Sequence, residues 1–273
     1  MAKKKKENYL LKIFSFLGKC IFFLVKIPYY IVKSVLYLID FFSSKVKKSK
    51  IKNKRKKINA NYEDFKLLKL NSGNYDDWLK QVFNSDSKIG IILGARGSGK
   101  TAFGVRLLEN IYFKKKKECF AMGFNEKDLP SWIYSIDEID EVKNNSLVLI
   151  DEGGILFNSR SSMKSSNKLL SELILISRHK NISIIFISQN SSNLDVNILR
   201  QADFLILKQS ALLQKDFERK IVQKIYQENE DDFKKFKNKK GLALIYSDQF
   251  KGFVEGSLPS FWKESISKSW SKN

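Results

Sequence analysis

The sequence predicts an α/β protein: a mostly parallel β-sheet with helices on both faces, preceded by an apolar, helical amino-terminal segment. Short aliphatic runs alternate with stretches of helical spacing between residues 88 and 208, a pattern typical of parallel strands joined by helical crossovers. The chain has 273 residues, of which 43% are hydrophobic, but only 13 Gly and 3 Pro. This composition suffices for one packed domain with an appendage and excludes a mostly disordered chain.

The amino-terminal segment, residues 9–42, is apolar but is interrupted by lysines. Four of them recur at intervals of seven residues: Lys12, Lys19, Lys26 and Lys33. On a helix these lysines would form one narrow stripe, and no uncharged run in the first 33 residues is long enough to span a bilayer. We therefore expect an interfacial helix or a shallow hairpin bent near Pro28, in preference to a single span, on the cytoplasmic face of an anionic membrane.

Charge and composition divide the chain into three parts. Residues 1–60 hold 17 Lys or Arg and 2 acids, so they carry +15 of the formal net charge of +21. We assign residues 1–42 to the membrane-associated segment, residues 43–60 to a basic linker without acids, and residues 61–273 to one globular domain. The domain is only mildly basic, so net charge alone is not evidence for nucleic-acid binding.

The strongest functional signal is KIGIILGARGSGKT at residues 88–101. An apolar strand precedes Gly94, and four residues later come Gly99, Lys100 and Thr101, which is the spacing of a phosphate-binding loop. Glycines let the backbone N–H groups face the phosphates, and the positive end of the following helix points at them. We expect Lys100 to reach the terminal phosphates of ATP and Thr101 to ligate Mg²⁺. The predicted nucleotide-binding residues are Gly94, Ala95, Arg96, Gly97, Ser98, Gly99, Lys100 and Thr101.

A second signal, SLVLIDEGG at residues 146–154, places two carboxylates directly after an aliphatic strand. In open α/β sheets, ligands bind beyond the carboxyl ends of the strands, so these carboxylates should emerge beside the phosphate-binding loop. We expect Asp151 to hold Mg²⁺ and Glu152 to be the base that polarises the attacking water. A GTPase is disfavoured, because the nearest approach to an N-K-x-D motif, NEKD at residues 125–128, fails at its second position.

A third apolar run, ISIIFISQN at residues 182–190, ends in Gln189. This side chain could sense the terminal phosphate or hydrogen-bond the attacking water, although a plain turn residue is the alternative. Three arginines are candidates for a finger supplied to a neighbouring subunit: Arg160, Arg178 and Arg200. We prefer Arg178, because it closes a helix just before this strand. Further along, residues 211–227 have helical spacing, and residues 247–251 are predicted to be the turn of a β-hairpin.

These motifs together resemble the FtsK/HerA superfamily of ring-forming ATPases, which includes Zot-like phage assembly proteins and viral genome-packaging ATPases. The resemblance runs from about Lys88 to Lys208, through GARGSGKT, LVLIDEGG, SRHKNISIIFISQN and LRQADFLILK in that order. It implies a P-loop NTPase (RecA-like) fold, with ATP hydrolysis coupled to movement of DNA through a homo-oligomeric ring, commonly a hexamer.

The sequence thus leads us to expect a membrane-tethered ATPase that translocates DNA during packaging, transfer or virion extrusion. Two alternatives stay open at this point. The ATPase could drive assembly or export of a protein filament, or the chain could be a membrane scaffold that uses nucleotide only as a switch.

Overall fold

The computed structural model describes residues 33–35, 37, 57–151, 166–211 and 213–267. The chain divides into two compact units, Met1–Lys54 and Arg55–Asn273. In the first unit the few described residues are helical and exposed, so the predicted membrane-associated segment lies almost wholly outside the described residues. Among the residues that are described, no helix has the length and hydropathy needed to cross a membrane.

The described part of the second unit is built on one mixed sheet. Its strands are β1 (Lys66–Gly73), β2 (Ile89–Leu93), β3 (Cys119–Met122), β4 (Ile133–Ile136), β5 (Leu147–Asp151), β6 (Ser183–Ser188), β7 (Phe204–Leu207), β8 (Ala243–Ser247) and β9 (Phe250–Glu255). Their order across the sheet is β1-β9-β8-β7-β2-β6-β5-β3-β4. The six strands from β7 to β4 run parallel, and β8, β9 and β1 are added antiparallel at one side. The prediction of a mostly parallel sheet is confirmed.

Helices cover both faces of this sheet. The described α-helices are α1 (Tyr75–Asn84), α2 (Lys100–Lys115), α3 (Ser166–Lys180), α4 (Val196–Gln201), α5 (Gln214–Phe217), α6 (Lys220–Glu228), α7 (Glu230–Lys235) and α8 (Glu264–Ser267). Short 3₁₀ turns lie at Glu126–Asp128, Ile139–Glu141 and Ser191–Asn193.

Two hydrophobic cores show how the sheet is covered. One core joins α1, α2 and α8 to one face of the sheet, and the other joins α3, α4, α6 and α7 to the opposite face. Strand β2 contributes side chains to both cores, because Ile92 packs in the first core while Ile91 and Leu93 pack in the second. A strand buried on both faces needs apolar residues at every position, which explains its continuous apolar sequence.

The predicted helix over residues 211–227 is broken into α5 and α6. The break lies at Glu218 and Arg219, whose polar groups bond to the turn after β6 instead of continuing a helix. The Glu218 carboxylate accepts the Ser191 N–H at 2.7 Å, and the Arg219 N–H donates to the Ser191 hydroxyl at 2.8 Å. The predicted hairpin is present, with Tyr246 of β8 paired to Lys251 of β9.

A buried ion pair on α2 fastens both ends of the described unit. Arg106 and Glu109 are 2% and 0% exposed, and their N and O atoms lie 3.0 Å apart. The Glu109 carboxylate accepts the N–H of Asn61 at 2.9 Å and that of Ser260 at 3.0 Å. Arg106 donates to the carbonyl oxygen of Asn61 at 3.1 Å and to that of Leu258. The chain segment before β1 and the segment after β9 are therefore both bonded to α2.

Candidate active site

The loop of residues 94–99 joins the end of β2 at Leu93 to the start of α2 at Lys100. Gly99 caps the helix in the left-handed region, with a φ of 84°, which a side chain would disfavour. Helix α2 continues for 16 residues behind the loop, so its positive end faces the loop directly. This local geometry favours an anion, because the first N–H groups of a helix have no acceptor within the helix and lie at its positive end.

Lys100 lies over this loop. Its side chain is largely buried, and its Nζ donates to the carbonyl oxygens of Gly94 and Ala95, both at 2.9 Å. The ammonium is thereby held across the mouth of the loop. A bound phosphate would compete with these neutral carbonyls, and a charged acceptor makes the stronger hydrogen bond.

Asp151 ends β5 next to the loop. Although 50 residues separate them, the Thr101 Oγ1 lies 3.4 Å from Asp151 Oδ2. A hydroxyl and a carboxylate that converge in this way fit Mg²⁺, which takes oxygen ligands and usually completes its shell with water and substrate phosphates. Among the described residues there is no group of three or more His, Cys, Asp or Glu that could hold a metal ion.

Gln189 follows β6, the strand that lies between β2 and β5. Ser188 is level with Leu93, the residue before the loop, and Ile187 is level with Asp151. Gln189 is the next residue beyond both pairs, and its side chain is exposed. The strand order thus puts Gln189 between the phosphate-binding loop and the carboxylate.

Two of the predicted arginines, Arg178 and Arg200, are not brought to this edge within one chain. Arg178 is exposed near the end of α3. Two residues later, the Lys180 carbonyl accepts the N–H of Asn145, which lies just before β5 begins. That is the edge where the parallel strands start, opposite the loop. Arg200, near the end of α4, also precedes a strand and lies at that edge. Glu152 and Arg160 lie outside the described residues.

The structure adds a residue that the motifs did not indicate. Lys208 follows β7, the other neighbour of β2, and is only 1% exposed. Its Nζ has no hydrogen-bond partner and lies 5.1 Å from the centre of the Phe103 ring on α2. Burial, and secondly the charge of Lys100, lower the pKa of Lys208 to about 7. The one available signal was its position, since it follows a strand just as Gln189 does.

These features define a P-loop nucleoside triphosphatase: a parallel sheet, a glycine-rich loop that leads into a helix, a carboxylate beside the loop threonine, and a polar residue between them. Together with the family match below, they identify an ATP hydrolase. Residues 124–237 match the family model described as zonular occludens toxin (Zot). The resemblance to Zot-like ATPases is confirmed. The matched range contains Asp151, Gln189 and Lys208, while the phosphate-binding loop lies upstream of it.

Several solved structures are similar to this chain. The genome packaging NTPase B204 from Sulfolobus turreted icosahedral virus 2, in complex with AMP, is 15% identical with a TM-score of 0.45, covering 64% of this chain and 98% of that chain. The DNA-packaging ATPase B204 from Sulfolobus Turreted Icosahedral Virus is 17% identical with a TM-score of 0.44, covering 63% and 99%. EssC (ATPases 2 and 3) from Geobacillus thermodenitrificans is 13% identical with a TM-score of 0.40, covering 67% and 42%. No curated protein sequence matches significantly.

Proposed function

We propose that this chain is a membrane-tethered ATPase that couples ATP hydrolysis to translocation of DNA, in packaging, transfer or virion extrusion. The observation that carries the enzymatic part is the approach of Thr101 and Asp151 beside the phosphate-binding loop. DNA as the cargo follows from the resemblance of the four motifs to FtsK/HerA ATPases, and the match to the Zot family supports the same class.

Nucleotide binding begins with the loop. Its backbone N–H groups and the positive end of α2 hold the phosphates, and Lys100 exchanges the Gly94 and Ala95 carbonyls for the terminal phosphate oxygens. Mg²⁺, when bound, would neutralise charge that develops on the phosphates, and Thr101 and Asp151 are the residues that would hold it.

Hydrolysis requires a water in line with the terminal phosphorus. Glu152 accepts a proton from this water, whose oxygen forms a new bond to that phosphorus. The bond between the same phosphorus and the bridging oxygen breaks, which releases ADP and inorganic phosphate. Gln189, level with the gap between the loop and Asp151, hydrogen-bonds the water and holds it in place.

The position of Arg178 supports the proposal of an oligomer. Because it lies at the edge opposite the loop, it can act as an arginine finger only on the phosphates bound by a neighbouring copy. We propose a homo-oligomeric ring, with six copies as the expected number. Each active site would then be completed by the next copy.

Tethering rests on the sequence pattern of residues 1–60. A lysine-striped apolar segment and a basic linker together supply the two signals that stable membrane anchoring needs. We propose the cytoplasmic face of an anionic membrane as the location. Flotation of the full chain with vesicles should depend on anionic lipid, and glutamate at Lys12, Lys19, Lys26 and Lys33 should release it.

The central experiment measures ATP turnover by the full chain on anionic vesicles, with and without double-stranded DNA. We expect DNA to stimulate turnover several-fold, and Glu152→Gln to abolish turnover while ATP binding is kept. Turnover that no DNA stimulates would contradict translocation and favour a protein cargo. Tight ATP binding without turnover would favour the nucleotide-switched scaffold.

Salt gives a second discrimination between DNA and protein cargo. Binding through phosphate contacts releases counterions. The logarithm of the association constant for DNA should therefore fall steeply and linearly with the logarithm of the salt concentration. DNA binding that persists at high salt would contradict binding through contacts with the DNA phosphates.

A further inference from the structure

Lys208 lies along the back of the phosphate-binding loop. A Cβ added at Gly94 would come within 2.6 Å of the Lys208 Cβ, and one added at Gly99 would lie 4.0 Å from its Cε. The lysine stem therefore passes from one end of the loop to the other, and its Nζ ends over the Phe103 ring in the first turn of α2. The absence of a side chain at Gly94 is what permits this close approach.

The backbone of Lys208 is fixed on both sides. Its N–H donates to the Leu93 carbonyl at 2.8 Å, and its carbonyl accepts the Tyr226 hydroxyl at 2.8 Å. The next residue, Gln209, accepts the Ala95 N–H at 3.0 Å. The Cα of Lys208, from which the side chain starts, is thus held beside the loop by contacts that join β7 to β2 and α6.

A buried ammonium without a hydrogen-bond acceptor is unfavourable, and a hydrocarbon side chain of the same length would fill the same space. The Phe103 ring compensates only in part, since a cation–π contact is weaker than the hydration it replaces. The loop also holds a second polar atom of this kind, the Ser98 Oγ, which is buried without a hydrogen-bond partner. One of these unsatisfied atoms belongs to the loop, and the other to a side chain that packs against it.

We propose that Lys208 is a positioning residue of the nucleotide site, whose positive charge behind the loop is balanced only when polyphosphate occupies the loop. It acts through the loop and need not touch the phosphates. In the unliganded protein, Lys208 and Lys100 repel one another across the loop. A triphosphate brings negative charge to both lysines at once, so binding removes a strain that the empty site carries.

Two consequences distinguish this arrangement from mere packing. Removal of the charge should weaken nucleotide binding and, at the same time, stabilise the unliganded protein. The effect should be larger for ATP than for ADP, because ATP carries more negative charge. The lowered pKa of Lys208 agrees with a buried positive charge that has another positive charge, that of Lys100, as its neighbour. This inference rests on the nucleotide-binding part of the proposed function, not on DNA or the membrane.

The test compares the full-length wild type with Lys208→Met, which keeps the length of the side chain and removes its charge. The control is Lys240→Met, an exposed lysine far along the chain in the turn before β8. Dissociation constants for ATP and ADP are measured by calorimetry with Mg²⁺, and the midpoint of thermal unfolding is measured without nucleotide.

We expect Lys208→Met to raise the ATP dissociation constant at least tenfold and that of ADP less, with an unfolding midpoint about 5 °C higher without nucleotide. Lys240→Met should change none of these by more than twofold or about 1 °C. Unchanged ATP affinity in Lys208→Met, or an unliganded variant that is less stable or does not fold, would overturn the inference. A wild type that binds no nucleotide would instead overturn the proposed function itself.

Discussion

The Thr101 hydroxyl and the Asp151 carboxylate approach to 3.4 Å from two elements that meet only in the folded sheet. Thr101 lies in the first turn of α2, and Asp151 ends β5, which is separated from β2 by β6. The carboxyl ends of three parallel strands therefore place one hydroxyl, one carboxylate and the polar Gln189 at a single edge. The predictions below test how this edge and the helix behind it work.

Asp151→Asn should lower Mg²⁺-dependent ATP turnover at least 100-fold, because an amide oxygen is a weaker magnesium ligand than a carboxylate. The fold should survive, since Asp151 is only half-buried at the end of its strand. The matched control is Asp248→Asn, in the exposed turn of the β8–β9 hairpin, which should keep wild-type turnover. Equal turnover in both variants would contradict the role of Asp151 as a magnesium ligand.

Glu109→Gln should lower the free energy of unfolding by about 3 kcal/mol, because it leaves Arg106 buried without its nearest counter-charge. Urea unfolding measures this change. The double variant Arg106→Met, Glu109→Met should recover part of the loss, since it removes both buried charges together. A double variant less stable than Glu109→Gln would show that the hydrogen bonds to Asn61 and Ser260 matter more than the charges.

Gln214→Ala should slow ATP turnover while leaving ATP affinity within about twofold. The Gln214 side chain donates to the Gln189 carbonyl and, at 2.9 Å, to the Glu218 carboxylate, so it fixes the backbone that carries Gln189. Loss of this support should disturb the positioning of water but not the phosphate-binding loop. The check is a steady-state measurement of kcat together with a separate titration of ATP binding. Weaker ATP binding with unchanged kcat would contradict the prediction.

The pH dependence of stability should reveal Lys208. Its folded pKa of about 7 lies below the value of 10.5 for a free lysine. Between these values the unfolded chain binds a proton that the folded chain lacks, so stability should rise with pH, by up to about 1.4 kcal/mol per unit. Above about pH 8.5 the buried Cys119 thiol, whose pKa is raised by burial, acts in the opposite direction.

The measurement is therefore the difference in unfolding free energy between Lys208→Met and wild type from pH 6.5 to 8.5, without nucleotide. The advantage of the variant should shrink as the pH rises, because wild-type Lys208 loses its proton. A difference that stays constant over this range would mean that the folded pKa of Lys208 is not lowered.

Much of the fold follows from local sequence. Strand β2 and the loop after it are specified by an apolar run and by glycine spacing, and Asp151 by its place after a strand. The insertion of β6 between β2 and β5 could not be predicted, because strand order is decided by tertiary packing and not by any one segment. Strand β1, KLLKLNSG, was not predicted as a strand, because it is largely exposed and lacks a clean alternation of apolar and polar residues.

Two other features depend on partners distant in the sequence. The helix break at Glu218 and Arg219 arises from hydrogen bonds to Ser191. The helical spacing of residues 211–227 therefore cannot by itself predict the break. Lys208 at the end of a strand is ordinarily a solvated residue, and its burial requires Phe103 and Gly94, roughly a hundred residues earlier. A sequence pattern reports what a segment prefers, whereas these positions are set by what the segment meets.

The hydrogen bonds that tie Asn61 to Arg106 and Glu109 have a mechanical consequence. The chain that arrives from the basic linker is clamped midway along the helix whose first turn grips the phosphates. Tension applied through the chain before Asn61 is therefore shared between α2 and Trp132, the residue before β4, whose Nε1–H donates to the Ile58 carbonyl at 3.1 Å. In the tethered ATPase that we propose, part of this load would fall on the helix that follows the phosphate-binding loop.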